Sequence, residues 1–405
     1  MLLCAATLGL AAIAGAQPAR APVSMDTALE LALRHNPTMR AKEREYDATR
    51  ANEITAGLRP NPTVSYSSEQ LAAPGVDTQH TVALSQTIET GGKRRRRVES
   101  AQAATRVGGF ELADVRRQVT AQVKKAFTDA LAAQMTVALA SENLATLDEV
   151  ERLSGLRAEK GEISDLELLR IQTQRYAFER DRLDAEQAVR LAKIALRTAV
   201  GTEALPAEFA LEGELAFREL ALDRERLLEQ VAVRRPDVRA MAAGRDRARA
   251  DFNLPAANAW WDVTPLVQYQ RIGPDNTIGV GLSLPLRVFD RNQGEIARAR
   301  AAMTRAGYLA EAALQQARAE VEAALASLAT EQEKVRRLRE VFLPRAQRAR
   351  ETVEYAYRRG GLSVLDLLDA ERTYRETALE HVRALGGYWA AFYQVEAAAG
   401  GPAEP

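Results

Sequence analysis

The hydrophobic positions of this chain follow two periods, and each period occurs twice. Between 63 and 70 (TVSYSSEQ) and between 81 and 88 (TVALSQTI) apolar residues alternate with small or polar ones, setting Val82, Leu84 and Ile88 on one face. A period of two is that of a β-strand with unlike faces. The alternation returns in Val263, Val267 and Tyr269 and in Ile278, Val280, Leu282 and Leu284. Ala73-Pro74-Gly75-Val76-Asp77 and Gly273-Pro274-Asp275-Asn276 carry the turn chemistry that joins such strands into hairpins. Each strand is expected to run about 9–11 residues, the length that crosses a bilayer at a tilt. Trp260 and Trp261 stand where the second hairpin opens, which suits an interfacial aromatic belt. On these residues alone, a pair of water-soluble hairpins fits equally well.

Elsewhere the period is helical. From about 93 to 156, and again from about 292 to 358, little interrupts the pattern, Gly108-Gly109, Gly307 and Pro344 among the breaks. Rods of ~65 residues are roughly 100 Å long at 1.5 Å per residue, far beyond the ordinary three-turn helix. Leu314, Val321, Leu328, Val335 and Phe342 recur at heptad spacing, with Leu325 and Leu338 between them, and predict a coiled-coil seam. Leu112, Val115, Val119, Val123, Phe127, Leu131 and Met135 form a looser one. Pro344 is expected to kink its rod. Gly161 and Gly360-Gly361 end the rods and turn the chain back into 164–200 and 363–398.

The repetition is a duplication. Asn36-Pro37 answers Arg235-Pro236, and Lys160-Gly161-Glu162-Ile163-Ser164 answers Arg359-Gly360-Gly361-Leu362-Ser363, both across 199 residues. Val82-Ala83-Leu84-Ser85 answers Val280-Gly281-Leu282-Ser283 across 198. The expected organisation is a first repeat at 17–200, a linker at 201–223, a second repeat at 224–398 and a tail at 399–405. Each repeat reads helix, two strands, long helix, helix. Residues 1–16 (MLLCAATLGLAAIAGA) are apolar and end on a small-x-small pattern, so they are expected to be a signal peptide.

Composition narrows the function. Acidic and basic residues both number 55 in a chain of 405, so no basic surplus calls for a nucleic-acid partner. Aromatic content of 5% with 24 Gly and 15 Pro disfavours an all-β sandwich and suits long helices. One Cys (Cys4, inside the expected leader) and three scattered His (His35, His80, His381) point away from a disulfide or a bound metal, and no cofactor is expected. Gly91-Gly92-Lys93 lacks P-loop spacing and Gly279-x-Gly281 lacks the third glycine of a dinucleotide loop. No nucleophile, base and orienting partner occur at usable spacing, so an enzyme is not expected. No later segment approaches 18 uninterrupted apolar residues, which leaves strands as the means of entering a membrane. Four strands cannot close a barrel, whereas three copies supply twelve, within the range of known outer-membrane barrels.

Three stretches, in order and partly duplicated, carry a resemblance. They are Ala28-Leu29-Glu30-Leu31-Ala32-Leu33-Arg34-His35-Asn36-Pro37, then Leu84-Ser85-Gln86-Thr87-Ile88-Glu89-Thr90-Gly91-Gly92-Lys93-Arg94, then Tyr357-Arg358-Arg359-Gly360-Gly361-Leu362-Ser363-Val364-Leu365-Asp366-Leu367-Leu368-Asp369-Ala370. Over its whole mature length the chain resembles the TolC family of outer-membrane efflux ducts, and within it the CzcC-like cation-efflux branch. The resemblance implies a mainly α fold with a β-barrel portion. Two internal repeats would build a long α-helical periplasmic barrel and four strands per protomer of a 12-stranded trimeric β-barrel. It implies a passive duct in the outer membrane, most of its mass periplasmic, partnered by a periplasmic adaptor and an inner-membrane pump of the resistance-nodulation-division class. Heavy-metal cations are the expected cargo, with drug efflux or type I secretion as the alternative within the family. A soluble periplasmic coiled-coil adaptor or scaffold is the alternative of another class.

The resemblance also assigns residues. Lys160, Gly161, Ser164, Arg359, Gly360, Gly361, Leu362 and Ser363 match adaptor-docking tips, and Tyr357, Asp366 and Asp369 match the periplasmic gate. The family's gating Arg falls on Leu362 here, and the first copy carries Glu167 and Arg170 where the second has Asp366 and Asp369. Asp366 and Asp369, three apart on a helix, either ring the narrowest point or form a solvated helix start. Residues 201–223 and the tail would build a belt around the helical barrel. Trp260, Trp261, Lys93 and Arg94 are expected at the membrane interface. The run Lys93-Arg94-Arg95-Arg96-Arg97 either meets anionic headgroups of the inner leaflet or simply starts a solvated helix.

Overall fold

The computed structural model describes residues 22–71 and 74–402. The leader expected at 1–16, Ala73 of the first turn and the end of the tail (403–405) lie outside the described residues. The first repeat runs α1 (Met25–His35), α2 (Pro37–Gly57), β1 (Thr63–Glu69), β2 (Gln79–Ser85), α3 (Lys93–Glu159) and α4 (Asp165–Val200). The second runs α5 (Arg224–Arg234), α6 (Pro236–Asn258), β3 (Thr264–Ile272), β4 (Asp275–Ser283), α7 (Gln293–Arg337), a π-helical turn (Leu338–Phe342), α8 (Leu343–Arg358) and α9 (Val364–Ala399).

One helix was expected ahead of each strand pair; there are two. The break falls at Asn36-Pro37 and Arg235-Pro236, because the proline ring drives the residue before it out of the helical region. Asn36 has ψ 124° and Arg235 ψ 116°. Proline then occupies the first turn of the next helix, where no N–H is needed.

The four strands form one antiparallel sheet in the order β1-β2-β3-β4. Two boundaries differ from expectation. β2 starts at Gln79, because β3 extends far enough to pair it with Ile272, and stops at Ser85. Beyond Ser85 the ladder thins to a bond from Gln86 N to the Pro265 carbonyl at 3.2 Å and the isolated bridge between Ile88 and Val263. β3 and β4 are nine residues long but β1 and β2 only seven. The second turn is also tighter than expected, with Asp275 and Asn276 already paired to Ile272 and Arg271.

Below the sheet α3 runs unbroken for 67 residues, about 100 Å. Val119, Val123, Phe127 and Leu131 of its loose seam are buried in a core with Ala28 and Ala32 of α1, Leu196 and Val200 of α4, and Leu205 and Leu215 of the linker. A second core gathers Leu227 and Val231 of α5, Val321, Leu328 and Val335 of α7, and Tyr388 and Val395 of α9. The linker crosses between them, its Phe217, Leu220 and Leu222 packing on the second.

The heptad of the second rod holds through Val335 and then fails. Phe342, expected in the seam, is 51% exposed, and burial resumes at Ala346 and Tyr357. The cause is the π-helical turn, whose extra residue rotates everything after it. Pro344 lies just beyond that turn. Its ring crowds the carbonyl four residues back and its nitrogen cannot donate, which accounts for the widened turn just ahead of it.

Side by side, the lower helices order as α4, α3, α9 and then α7 with α8, and the upper ones as α2, α3, α6, α7. One flank of the protomer is thus α2 with α4, the other α7 with α8.

Candidate functional site

The sheet has two chemically distinct faces. On one, the registered rows are Val64, Leu84, Val267 and Val280, then Tyr66, Val82, Tyr269 and Ile278. Ile278 and Val280 are 79% and 83% exposed, an unusual state for β-branched aliphatics in water. The opposite face carries Ser65, Ala83, Gln268 and Gly279, then Ser67, Thr81, Gln270 and Thr277. From Val263 to Tyr269 the apolar face spans about 20 Å at ~3.3 Å per residue, close to the apolar band of an outer-membrane barrel. At the turn end the row becomes polar, with Ser68, His80, Arg271 and Asn276. β1 and β4 are the two edges, with no partner among the described residues.

At the other end of the strands Trp260 and Trp261 are both exposed. The GGK stretch is explained here. A Cβ on Gly91 would sit 2.8 Å from the Trp260 Cβ and 2.9 Å from the Ala257 oxygen, and its φ is +64°. Glycine lets the first repeat's strand-to-rod elbow lie directly on the end of α6. Lys93 then turns inward. Its side chain is 5% exposed and its Nζ donates to Asp262 Oδ1 at 2.6 Å, while Thr90 N donates to the same oxygen at 3.1 Å. Arg94 Nε donates to the Gly57 carbonyl at 2.6 Å, and Arg97 pairs with Glu89. The basic run therefore includes a structural clasp at Lys93 and Arg97.

The hairpin tips lie at the far end of the rods. In each, a left-handed glycine (Gly161 at φ +76°, Gly360 at φ +75°) reverses the chain after the C-caps Lys160 and Arg359. Ser164 and Ser363 then cap the returning helices through reciprocal capping boxes with Glu167 and Asp366. Asp366 Oδ2 accepts from Ser363 N at 3.0 Å and from Ser363 Oγ at 2.7 Å, and these bonds hold its carboxyl below the usual carboxylate range. Asp369 is exposed and paired with Arg372 at 2.5 Å. Lys160, Arg359, Gly360, Gly361, Leu362 and Ser363 are likewise exposed.

Tyr357 is different. It is buried, its hydroxyl shares a hydrogen bond of 2.9 Å with Ser154 Oγ of α3, and the Arg157 guanidinium lies 5.1 Å from its ring centre. Arg157 Nη1 also donates to the Tyr357 carbonyl at 3.1 Å. Leu147, Val150, Ile171, Phe178, Val364 and Leu367 enclose the contact. Sequence reading identified Tyr357 but neither Ser154 nor Arg157. Their counterparts across 199 residues are Val353 and Ala356, so the duplication that marks the tips conceals this asymmetric contact. Among the described residues no group of three or more His, Cys, Asp or Glu is placed to hold a metal, and no helix is long and apolar enough to cross a membrane.

A membrane-width apolar sheet on 100 Å helical hairpins has a counterpart among known families. The family described as Outer membrane efflux protein matches over 28–202 and again over 227–401. The chain belongs to this family. It is an outer-membrane efflux channel with a large periplasmic part. Among curated relatives of this efflux family, the cobalt-zinc-cadmium resistance protein CzcC of Cupriavidus metallidurans is 27% identical over 377 residues, covering 91% of this chain and 88% of that protein. The nickel-cobalt-cadmium resistance protein NccC of Alcaligenes xylosoxydans xylosoxydans is 26% identical over 296 residues, 71% of this chain and 66% of that protein. Among solved structures, CusC, studied for the conformational changes that accompany its folding and transmembrane channel formation, superposes with a TM-score of 0.79 at 16% identity, over 93% of this chain and 92% of that one.

Proposed function

We propose that three copies of this chain form a duct that passes heavy-metal cations, delivered by a periplasmic adaptor and an inner-membrane pump of the resistance-nodulation-division class, to the exterior. The single observation that carries the assembly is the sheet with one apolar face and two open edges. In lipid each unpaired backbone group costs several kcal/mol, so an open four-stranded sheet is untenable and edge must meet edge. Three protomers give twelve strands, with Val280 and its row toward lipid and the Ser, Thr and Gly rows toward the lumen. The flanks agree: α4 exposes Leu166, Leu169, Tyr176, Leu183 and Ile194 along its length, an apolar stripe that suits a neighbouring protomer's rod. Trp260 and Trp261 then meet the inner-leaflet interface.

The tips are the adaptor-docking and gating end. Glycine turns leave Lys160 and Arg359 at the surface, and Tyr357 holds the α8–α9 arm against α3 through Ser154 and Arg157. Opening means releasing that contact, after which Asp369, and Asp366 beside it, face passing cations. Metal cargo is supported by CzcC and NccC, which are metal-resistance proteins by name; discrimination among metals is assigned to the pump. The test of cargo is survival of a strain lacking the gene on zinc, cobalt, cadmium or nickel against survival on lipophilic drugs. Metal sensitivity is expected, and drug sensitivity alone would overturn it. The test of the gate is Asp366→Ala with Asp369→Ala in planar bilayers, which is expected to raise single-channel conductance.

A further inference from the structure

One buried carboxylate on α9 has no part in the contacts described so far. Glu371 follows the Asp366 cap by five residues, is 4% exposed, and its Oε1 has no hydrogen-bond partner among the described residues. Across from it on α8 is Arg350, whose Nε is likewise buried and without a partner among the described residues. The Arg350 guanidinium instead lies 4.0 Å from the ring centre of Tyr374. The two opposite charges are near enough to act on each other, yet no ion pair within 4 Å joins them among the described residues. A buried carboxylate without a partner, facing a half-buried guanidinium, is stable only if it is neutral or if the helices can shift to unite the two.

We propose that Glu371 is a positioning residue for the gate: protonated, it leaves the α8–α9 arm docked through Tyr357, and ionised, it draws Arg350 into a pair that is incompatible with that docking. This rests on the reading of the tips as the gate. The neighbours set the direction. Burial pushes the Glu371 carboxyl above its ordinary value, Arg350 opposes that, and Glu354 of α8 adds to it. No charge of α3 or α4 acts on Glu371; these helices meet α9 in this stretch through the apolar Leu147, Val150, Ile171 and Phe178. On α9 itself Arg375, one turn on, is occupied by Asp181 of α4 at 3.5 Å and by the Phe178 ring at 4.7 Å. A group whose proton is held more tightly in the docked state supports that state at low pH and ceases to as pH rises through the raised value. Alkaline solution should therefore open the arm.

The experiment uses the assembled channel in planar bilayers between pH 5.5 and 9, with the thiol-labelling rate of Ser154→Cys, a position buried beneath Tyr357 in the docked arm, as a second readout. Wild-type conductance is expected to rise with pH. Glu371→Gln, nearly the same shape but never charged, is expected to stay at the low-pH value throughout. Arg350→Gln removes the cation that favours ionisation and should move the midpoint upward by about one pH unit. At one fixed pH near 8, adding Glu371→Gln to Ser154→Cys should lower the labelling rate severalfold. A Glu371→Gln channel that keeps the wild-type pH profile, with a labelling rate equal to that of the Ser154→Cys parent, would overturn the proposal. A changed labelling rate with unchanged conductance would uphold the Glu371 control of docking and remove the gate reading beneath it.

Discussion

In the first repeat a neutral amide closes the junction of helices α1, α2 and α4; in the second, at the matching position, a buried guanidinium does so. Asn36 caps α2 by accepting from Thr38 N and Met39 N, and its Nδ2 donates to the Ala199 carbonyl at 2.8 Å. Arg235 cannot cap. Its Nη1 reaches the Ala398 carbonyl at 3.3 Å and Glu320 at 2.6 Å, and its Nε reaches Asp237 at 2.9 Å. The targets, Ala199 and Ala398, are again 199 residues apart, as are the capping glycines Gly201 and Gly400, which press on the His35 and Arg234–Arg235 backbones. The backbone junction is therefore shared, and the side chain that satisfies it is free to vary. The difference teaches that the second repeat ties its junction into its own rod, through Glu320 of α7, whereas the first does not.

The largest expected effect follows from that tie. Arg235→Ala strands two carboxylates and a helix-end carbonyl in a partly buried site, a loss of about 3 kcal/mol. Asn36→Ala removes one cap and one bond to a carbonyl, about 1–2 kcal/mol. Hydrogen exchange of the first-turn amides of α6 and of α2 measures the two; equal losses would mean that the ion pairs add nothing beyond the shared backbone geometry.

A somewhat smaller effect is expected at the elbows between strand and rod. Lys93→Ala leaves Asp262 without its cation and should cost about 2 kcal/mol, less than a fully buried pair because Asp262 keeps some solvent. Among the described residues the second repeat has no such ion pair at its elbow. It runs from Leu284 to Arg291, carries Leu286, Val288 and the 92% exposed Phe289, and reaches its left-handed cap at Asn292. Phe289→Ser should leave each protomer's helices intact by circular dichroism while lowering the yield of membrane-inserted protein. Unchanged insertion would show that the apolar elbow is not a lipid or protomer contact.

The repeats, rods and strand faces were legible because each is a periodic signal, and a period survives without knowledge of neighbours. What was not legible depends on contacts between distant segments. Gly91-Gly92-Lys93 was noticed as a motif, but the reason for Gly91 is α6 lying against it, and the reason for Lys93 is Asp262, 169 residues away. Ser154 and Arg157 gain meaning only once α8 is laid beside α3. Phe342 was misplaced because a heptad count cannot see that a π-helical turn, set by Pro344, adds one residue to the spiral.

Acid separates the two junctions without mutation. Burial works against ionisation of Asp237 and Glu320, but their bonds to Arg235 outweigh it and hold both carboxyls below their ordinary values. Carboxyls lowered by folding contribute stability that is present above the unfolded value, about 4, and lost as pH falls through the folded one. The start of α6 should therefore exchange faster as pH drops from 5 to 3, relative to intrinsic rates. The start of α2, held by an amide that does not titrate, should not. Parallel behaviour at both sites would place the acid sensitivity elsewhere.

The smallest structural effect, and the one that best separates folding from conduction, is at the tips. Glu167 and Asp366 fill the same place in the same capping box, so Glu167→Ala and Asp366→Ala should loosen the first turns of α4 and α9 to a similar, small extent. Their neighbours differ: Arg170 follows Glu167, whereas Asp369 follows Asp366. If the cap were the whole role of Asp366, the two single variants would leave conductance alike. A carboxylate that also faces the passing cation must make Asp366→Ala alter conductance and cation preference while Glu167→Ala does not, and single-channel recording of the two variants at one salt concentration decides between these outcomes.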